Sequence, residues 1–517
     1  MKATPPTARR MALAFAVLMM GLGAATARAQ DPAQTPRPVK PVAPVRSPDA
    51  PADPVVRRVQ DPPPPPAVTP PNPGGAGTGT AGNETDLTVP RAEKEGEPTN
   101  EVAAEEKAAE PAAKDETKLL MNWLGKSDSK NKVYGWIQNS YTGNTNGVPK
   151  NAQNFGVNPN FLANRWMGNQ YYLIFERTVE QNDEINFGYR VDNLFGNDWQ
   201  FNHMQGLNQT SFQPNHFAGY DPAQMYVEMH VPDKFLNTKG IDIKGGRWYT
   251  LAGYEVVPAT GRPLLSVPYM FNYGQPFTHF GALTTWHITD KFNLYNGAIN
   301  GWDRWINTTY KWGYIGGFSW TFNEDKTNLA FTTIWGPNQF PSQLPGNQKF
   351  YPTGYINIPS LAGRRNNGYA ANDRVLFTTV LSHKWSDRLT QVMETDQSFE
   401  QNVPGARSPV VNGVVQNGNS GGAGWYSFGN WFLYKITKDS DKLTGVWRSE
   451  IFRDNNGVRT GIATNYSEFT LGLIYKPKPY LWIRPEARYD FARSGHPYSD
   501  NTRNSQFTLG IDVILLF

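Results

Sequence analysis

Cysteine is absent from the 517 residues. That excludes disulfides, thiolate metal sites and an acylated lipoprotein cysteine. Apolar runs of helix-spanning length are absent after the N-terminus, which excludes a bundle of membrane helices. The average is polar, with 39% hydrophobic residues and a mean hydropathy of −0.56. No HExxH, GxSxG or Walker motif occurs, and 74–82 lacks the lysine of a phosphate loop. The seven histidines are scattered. His279 and His287 fall on one expected strand, too far apart for joint ligation. Ser382 and His383 are neighbours, so a strand points them to opposite faces. Asp439-Ser440-Asp441 is too short for a calcium loop and reads as a solvated turn. No enzyme, cofactor or metal is expected. Net charge is +4, from 49 basic and 45 acidic residues, and no basic stripe points to nucleic acid.

Aromatic residues, by contrast, are abundant, with 16 Trp, 24 Tyr and 28 Phe. A polar average rich in aromatics suits a membrane β-barrel, whose lumen is wet and whose rims carry aromatic girdles. The stretch from Ser505 to Phe517 states the pattern in full. Phe507, Leu509, Ile511, Val513, Leu515 and Phe517 share one face, while Gln506, Thr508, Gly510 and Asp512 share the other. The apolar face runs for about ten residues, enough for a tilted strand to cross a bilayer. Its aromatic end resembles the insertion signal of bacterial outer-membrane barrels, which the barrel-assembly machinery reads.

Ahead of the strands, 1–29 reads as a signal peptide: a basic start, an apolar core, then Ala27-Arg28-Ala29 as cleavage site. Residues 30–118 read as a disordered linker, Pro- and Gly-rich and then rich in Glu, Lys and Ala. Leu119, Leu120, Trp123 and Leu124 give a small apolar patch at helical spacing, so 119–131 is expected to hold a short helix or lead-in segment. The barrel is expected over 132–517. Ile185, Phe187, Tyr189 and Val191 alternate with Asn186, Arg190 and Asp192. Met225, Val227 and Met229 alternate with Gln224, Glu228 and His230. Leu481, Ile483, Ala487, Tyr489 and Phe491 alternate with Arg484, Glu486, Arg488 and Asp490. Connections alternate as well. Short ones near 180–183, 232–240, 289–291, 323–327, 386–388, 438–442 and 476–479 separate long ones at 142–169, 192–222, 251–275, 301–311, 337–373, 400–423, 453–464 and 492–504. About sixteen antiparallel strands follow, with both ends on the short-turn side. A soluble sandwich has no reason to sort loops by parity, whereas an outer-membrane barrel does.

Three stretches carry a family resemblance. They are Tyr134-Gly135-Trp136-Ile137-Gln138-Asn139-Ser140-Tyr141 after Leu119-Leu120-Met121-Asn122-Trp123-Leu124-Gly125, then Asn296-Gly297-Ala298-Ile299-Asn300-Gly301-Trp302-Asp303, and the run from Trp482 to Phe491. From about Leu119 to Phe517 the chain resembles the putative beta-barrel porin-2, OmpL-like family. The resemblance implies an outer-membrane pore of undefined substrate.

The third long loop is too apolar to lie in water, with Val256, Leu264, Leu265, Val267, Met270 and Phe271. It either enters the lumen or closes the mouth as a lid. Its position and composition resemble the in-folded loop of general porins, which favours the lumen. The expected pore lining is Arg190, Asp192, Glu228, Glu255, Arg262, Arg448, Glu450, Glu468, Arg484, Glu486, Arg488 and Asp490. Arg448, Arg484 and Arg488 are expected on the thirteenth and fifteenth strands, with Glu468 between. They either oppose an acidic loop and set a field across the pore, or alternate in sign with their neighbours and cancel as a ladder.

The best reading is a porin in bacterial outer-membrane lipid, passing small hydrophilic solutes, with its linker in the periplasm. Rivals are a sugar-selective porin using Trp248, Tyr269 and Tyr273 as a stacking track, and a barrel that anchors the membrane to the cell wall. A homo-oligomer is compatible with either.

Overall fold

The computed structural model describes residues 117–126, 129–150, 152–204, 207, 217–306, 312–336, 373–403, 410–411, 414–415, 421–438 and 440–517. The expected signal peptide and all but the last two residues of the expected linker lie outside them, as does much of the fifth and sixth long loops. Among the described residues no helix is long and apolar enough to cross a membrane.

Strands β1 (Lys132–Asn144), β2 (Arg165–Arg177), β3 (Asn186–Gly196), β4 (Gly219–Val231), β5 (Ile241–Tyr249) and β6 (Thr278–Thr289) begin the sheet. It continues through β7 (Phe292–Ile299), β8 (Gly313–Phe322), β9 (Thr327–Gly336), β10 (Arg374–Lys384) and β11 (Leu389–Val403). A two-residue hairpin, β12 (Val410–Val411) and β13 (Val414–Val415), stands outside it. The sheet ends with β14 (Gly421–Lys435), β15 (Leu443–Asp454), β16 (Thr464–Lys478), β17 (Leu481–Ala492) and β18 (Ser505–Leu516). Sixteen strands, β1–β11 and β14–β18, close into one antiparallel barrel. Closure pairs β1 with β18, Trp136 opposite Leu516 and Asn144 opposite Thr508. It leaves no sheet edge, as a spanning sheet in lipid requires. Phe517 extends the seam, exchanging backbone hydrogen bonds of 2.9 Å with Gly135.

Period two sorts the side chains. On β18, Phe507, Leu509, Val513 and Leu515 point outward and are 37–52% exposed, while Gln506, Thr508 and Asp512 point inward and are buried. Tyr426 and Phe428 on β14, and Phe469 and Leu471 on β16, repeat the exposed outward pattern. A face this apolar is stable against lipid rather than water. A short helix, Leu119–Trp123, stands ahead of β1. Trp123 and Leu124 are exposed, and Met121 is the buried residue, its sulfur accepting the Val133 N–H at 3.3 Å.

The inner wall is uneven. Strands β6–β9 contain no Asp, Glu, Lys or Arg. Their inward Leu283, Tyr295, Ile299, Ile315 and Ile334 join Leu376 of β10 and Val392 of β11 in one buried cluster. Strands β15–β18 carry inward Arg448, Glu450, Glu468, Arg484, Glu486, Arg488, Asp490 and Asp512, all buried.

Candidate functional site

The third long loop, 250–277, joins β5 to β6. It has little regular structure, so most of its backbone N–H and C=O groups need partners from elsewhere. The barrel wall supplies them. Thr332 of β9 donates to Leu251 O at 3.0 Å, and Tyr254 N donates to Glu394 of β11 at 2.8 Å. Gln170 of β2 donates to Val257 O at 2.8 Å and accepts Ala259 N at 2.9 Å. Arg484 of β17 donates to Ala259 O at 3.0 Å and Arg262 O at 2.5 Å. Ser266 N reaches Glu486 at 3.0 Å, and Arg488 donates to Val267 O at 2.7 Å. On β15, Glu450 accepts both Tyr269 N, at 2.6 Å, and Met270 N, at 2.5 Å. The chain then returns past β14, where Trp425 donates to Gly274 O at 3.1 Å, and β11, where Asp396 accepts Gln275 Nε2 at 2.8 Å.

Partners on β2, β9, β11, β14, β15 and β17 lie all round the barrel. A loop that touches them all crosses its interior, so it lies in the lumen and is not a lid. Val256, Leu264, Leu265, Val267, Met270 and Phe271 are all buried. Two glycines admit it to the wall. A Cβ on Gly472 would strike Leu264, and one on Gly510 would lie 3.1 Å from Leu265 Cδ2.

Charged groups meet the loop as bonded pairs. Arg448, on the thirteenth barrel strand β15, spans Glu468 of β16 at 3.0 Å, Ser266 O at 2.5 Å and Glu255 at 3.4 Å. Trp431 donates to the same Glu255 at 3.0 Å. Arg484, on the fifteenth strand β17, pairs with Asp512 at 2.6 Å, and Arg488 pairs with Asp490 at 2.9 Å. Each of these arginines has a carboxylate on its own wall, and Arg448 also meets Glu255 of the loop. Burial pushes the Glu255 carboxyl above its usual range, against the pull of Arg448. Burial likewise lowers the Arg262 guanidinium, whose nearest carboxylate, Asp198, is 3.8 Å away. Asp198 is itself raised by burial.

Three expected residues, on β3 and β4, pair with wall residues rather than with the loop. Arg190 bonds Asp192 at 2.7 Å and Glu176 at 3.0 Å. Glu228 faces Lys244 at 3.3 Å, and that ammonium lies 4.3 Å over the Tyr226 ring. Asp192 also accepts Tyr172 OH at 2.6 Å. The Arg190 and Glu228 side chains keep some exposure, 15% and 12%, whereas Asp192 is fully buried. Sequence reasoning missed Glu394, Asp396, Gln170 and Asp512 as loop or wall partners. Glu394, Asp396 and Glu400 share one face of β11 with Ser398 between the last two, a signal that was readable.

The aromatics considered for a sugar track are packed away. Trp248, Tyr269 and Tyr273 are buried. Tyr269 stacks on Tyr273 and Tyr466 at 5.8 and 5.1 Å, leaving these faces to protein. His279 and His287 are held separately, by Gly301 O and Thr250 for the first and by Asp242 and Asn293 for the second.

A closed sixteen-strand barrel with short turns at one end and an in-folded third loop is a porin architecture. The family described as putative beta-barrel porin-2, OmpL-like, matches residues 130–517. The chain belongs to that family. It is an outer-membrane porin, a channel for small solutes. No curated protein sequence matches this porin. Among solved structures it is similar to OprB of Pseudomonas putida, at 10% identity and a TM-score of 0.50, over 79% of this chain and 100% of that one. It is also similar to the outer-membrane channel DcaP of Acinetobacter baumannii, at 10% identity and a TM-score of 0.46, over 75% of this chain and 97% of that one.

Proposed function

We propose that loop 250–277 sets the narrowest level of this porin. Arg448, Glu450, Glu468, Arg484, Glu486, Arg488 and Asp490 act as its struts, with Glu255 and Arg262 as the loop's own charges. Arg190 and Glu228 line water on the β3–β4 wall, with buried Asp192 holding Arg190. The observation that carries this reading is the ring of bonds from the loop to strands on every side. Solutes diffuse down their gradient through whatever aperture the loop leaves, and no energy source is involved. Replacing 256–272 by a short Gly-Ser link should raise single-channel conductance severalfold in planar bilayers, with the heat-modifiable gel mobility of a folded barrel retained. Unchanged conductance in a folded variant would remove the loop from the solute path.

The short-turn end, with 30–118, then faces the periplasm, and a cell-wall contact through that linker is compatible with it. The outward row Phe507, Leu509, Ile511, Val513, Leu515 and Phe517 serves as the insertion signal for the assembly machinery. Phe517→Asp should deplete the compact form on gels; an undiminished compact band would refute that role. Oligomeric state follows from crosslinking in native membranes.

A further inference from the structure

The connection between β4 and β5 differs from its neighbours at the short-turn end. Asp290-Lys291, Asn323-Glu324-Asp325-Lys326 and Ser386-Asp387-Arg388 are polar, as turns in water should be. Residues 232–240 instead carry Phe235 and Leu236 at their tip, 95% and 66% exposed. Neither belongs to a strand, so the sheet does not account for them.

The tip is held in one conformation. The Asp233 carboxylate accepts Phe235 N and Leu236 N at 2.8 Å each, Thr238 N at 2.9 Å and the Thr238 hydroxyl at 2.6 Å. Asn237 takes a φ of 56°, which turns the chain back. Beyond it Lys239 N donates to His287 O at 2.8 Å, and His287 N donates to Gly240 O at 3.0 Å. An apolar pair fixed in this way has already lost much of the freedom that a contact would cost.

Hydrogen bonding also sets the direction of the turn. Leu283 of β6 turns inward to the neutral buried cluster, and His287 turns inward to Asp242 and Asn293. Period two then points Trp286 outward, between Ile241 of β5 and Leu294 of β7. Its indole N–H donates to the Thr238 hydroxyl at 3.1 Å, which ties the turn to the lipid-facing side. Trp286 stands near the short-turn end with Phe292 of β7 and Trp320 of β8, which oppose each other in register. Outward aromatics at strand ends mark the boundary between membrane and water. Charge does not oppose a lipid contact. Asp233 is spent on the turn, Lys239 pairs with Asp290 at 3.1 Å, and the long stem of Lys234 lets its ammonium stay in water.

We propose that Phe235 and Leu236 form a prong that enters the phospholipid leaflet on the short-turn side and anchors the β4–β5 turn there. Two apolar side chains gain by leaving water for the acyl boundary, and the lipid face they join is continuous with Trp286. The inference rests on the barrel spanning a membrane and not on what passes through it.

The absence of cysteine makes the test direct, because one introduced thiol is then the only site for a nitroxide label. Full-length Phe235→Cys and Leu236→Cys, with Asp387→Cys as a reference in a polar turn, are labelled and reconstituted in phosphatidylcholine vesicles. Power saturation of the spin resonance compares collisions with oxygen, which concentrates in lipid, and with a nickel chelate, which stays in water. Oxygen should dominate at 235 and 236 and the chelate at 387, so that the ratio reverses. Chelate dominance at both tip positions would leave the prong in water and overturn the anchor. Shielding from both reagents would mean that protein covers the tip, a second copy of the chain included, and would overturn it too. Heat-modifiable gel mobility identifies the folded barrels, and two tip positions keep the test decisive if one variant does not fold. Loss of conductance with oxygen still dominant would count against the pore and leave the prong standing.

Discussion

On one side of the lumen, β15–β18 hold the in-folded loop with Arg448, Glu450, Arg484, Glu486 and Arg488, each bonded to a loop backbone atom. Across from them, β6–β9 meet Ala252 and Tyr254 of the same loop with Leu283, Tyr295, Ile299, Ile315 and Ile334. The charged arc binds by direction. A guanidinium or carboxylate out of water must be paired and hydrogen-bonded, and here the loop backbone and the opposite charge share that task. The neutral arc binds by area, which is tolerant of small shifts. The charged arc should therefore decide where the loop sits, and the neutral arc should only add to how firmly it stays.

The largest expected effect comes from stripping the charged arc. Arg484→Ser with Arg488→Ser leaves Asp512 and Asp490 without their arginine partners, a loss of about 3–5 kcal/mol for each pair. The loop should come free, and the pore should turn more cation-preferring. The zero-current potential across a salt gradient reads this, with a larger shift in dilute salt. A potential unmoved at low salt, in channels that still form, would place the two arginines away from the solute path.

Glu450→Gln is the milder break on the same arc. One amide oxygen replaces two carboxylate oxygens that accept Tyr269 N and Met270 N. The loss should be about 1–3 kcal/mol, seen as a lower urea midpoint for the heat-modifiable form together with noisier current. A quiet channel of unchanged midpoint would show that this strut is dispensable.

On the neutral arc, Ile334→Val removes one methylene and should cost about 0.5–1.5 kcal/mol. Conductance and ion preference should stay as they were, because no directional contact is lost. A change of selectivity from this substitution would erase the distinction between the arcs.

The smallest effect is one of pH. Burial holds the Glu255 carboxyl above the ordinary glutamate value of 4.5. A raised folded-state value means that the docked loop binds the proton more tightly than a freed loop does. Its contribution is complete below the ordinary value and is lost as pH rises through the raised one. Conductance should therefore climb modestly as pH rises above the ordinary glutamate value of 4.5. Glu255→Gln should flatten that slope, and an equal slope in the variant would assign it to other acids.

Much of the barrel was legible along the chain, because a strand in lipid repeats its chemistry every second residue. Phe507 to Leu515 against Gln506 to Asp512 needs no partner to be read, since lipid selects one face and water or protein the other. Loop parity gave the strand number for the same local reason. The in-folded loop was legible only as a misfit: Leu264, Leu265 and Phe271 could not be left in water, which said that they hide but not where. Their destination depends on Gly472 and Gly510 leaving room on strands over two hundred residues away.

By itself the sequence determined which residues face lipid, how many strands close the barrel, and that Arg448, Arg484 and Arg488 turn inward. Only the tertiary structure decided what those inward charges do. Each arginine chose between water, a neighbouring carboxylate and a loop carbonyl, and that choice depends on distances set by barrel closure. Arg484 bonds Asp512 and Arg262 O together because β17 lies beside β18 and the loop arrives from β5 across the lumen. Periodicity is a property of neighbours in sequence, whereas a 2.6 Å pairing between adjacent strands is a property of the folded sheet.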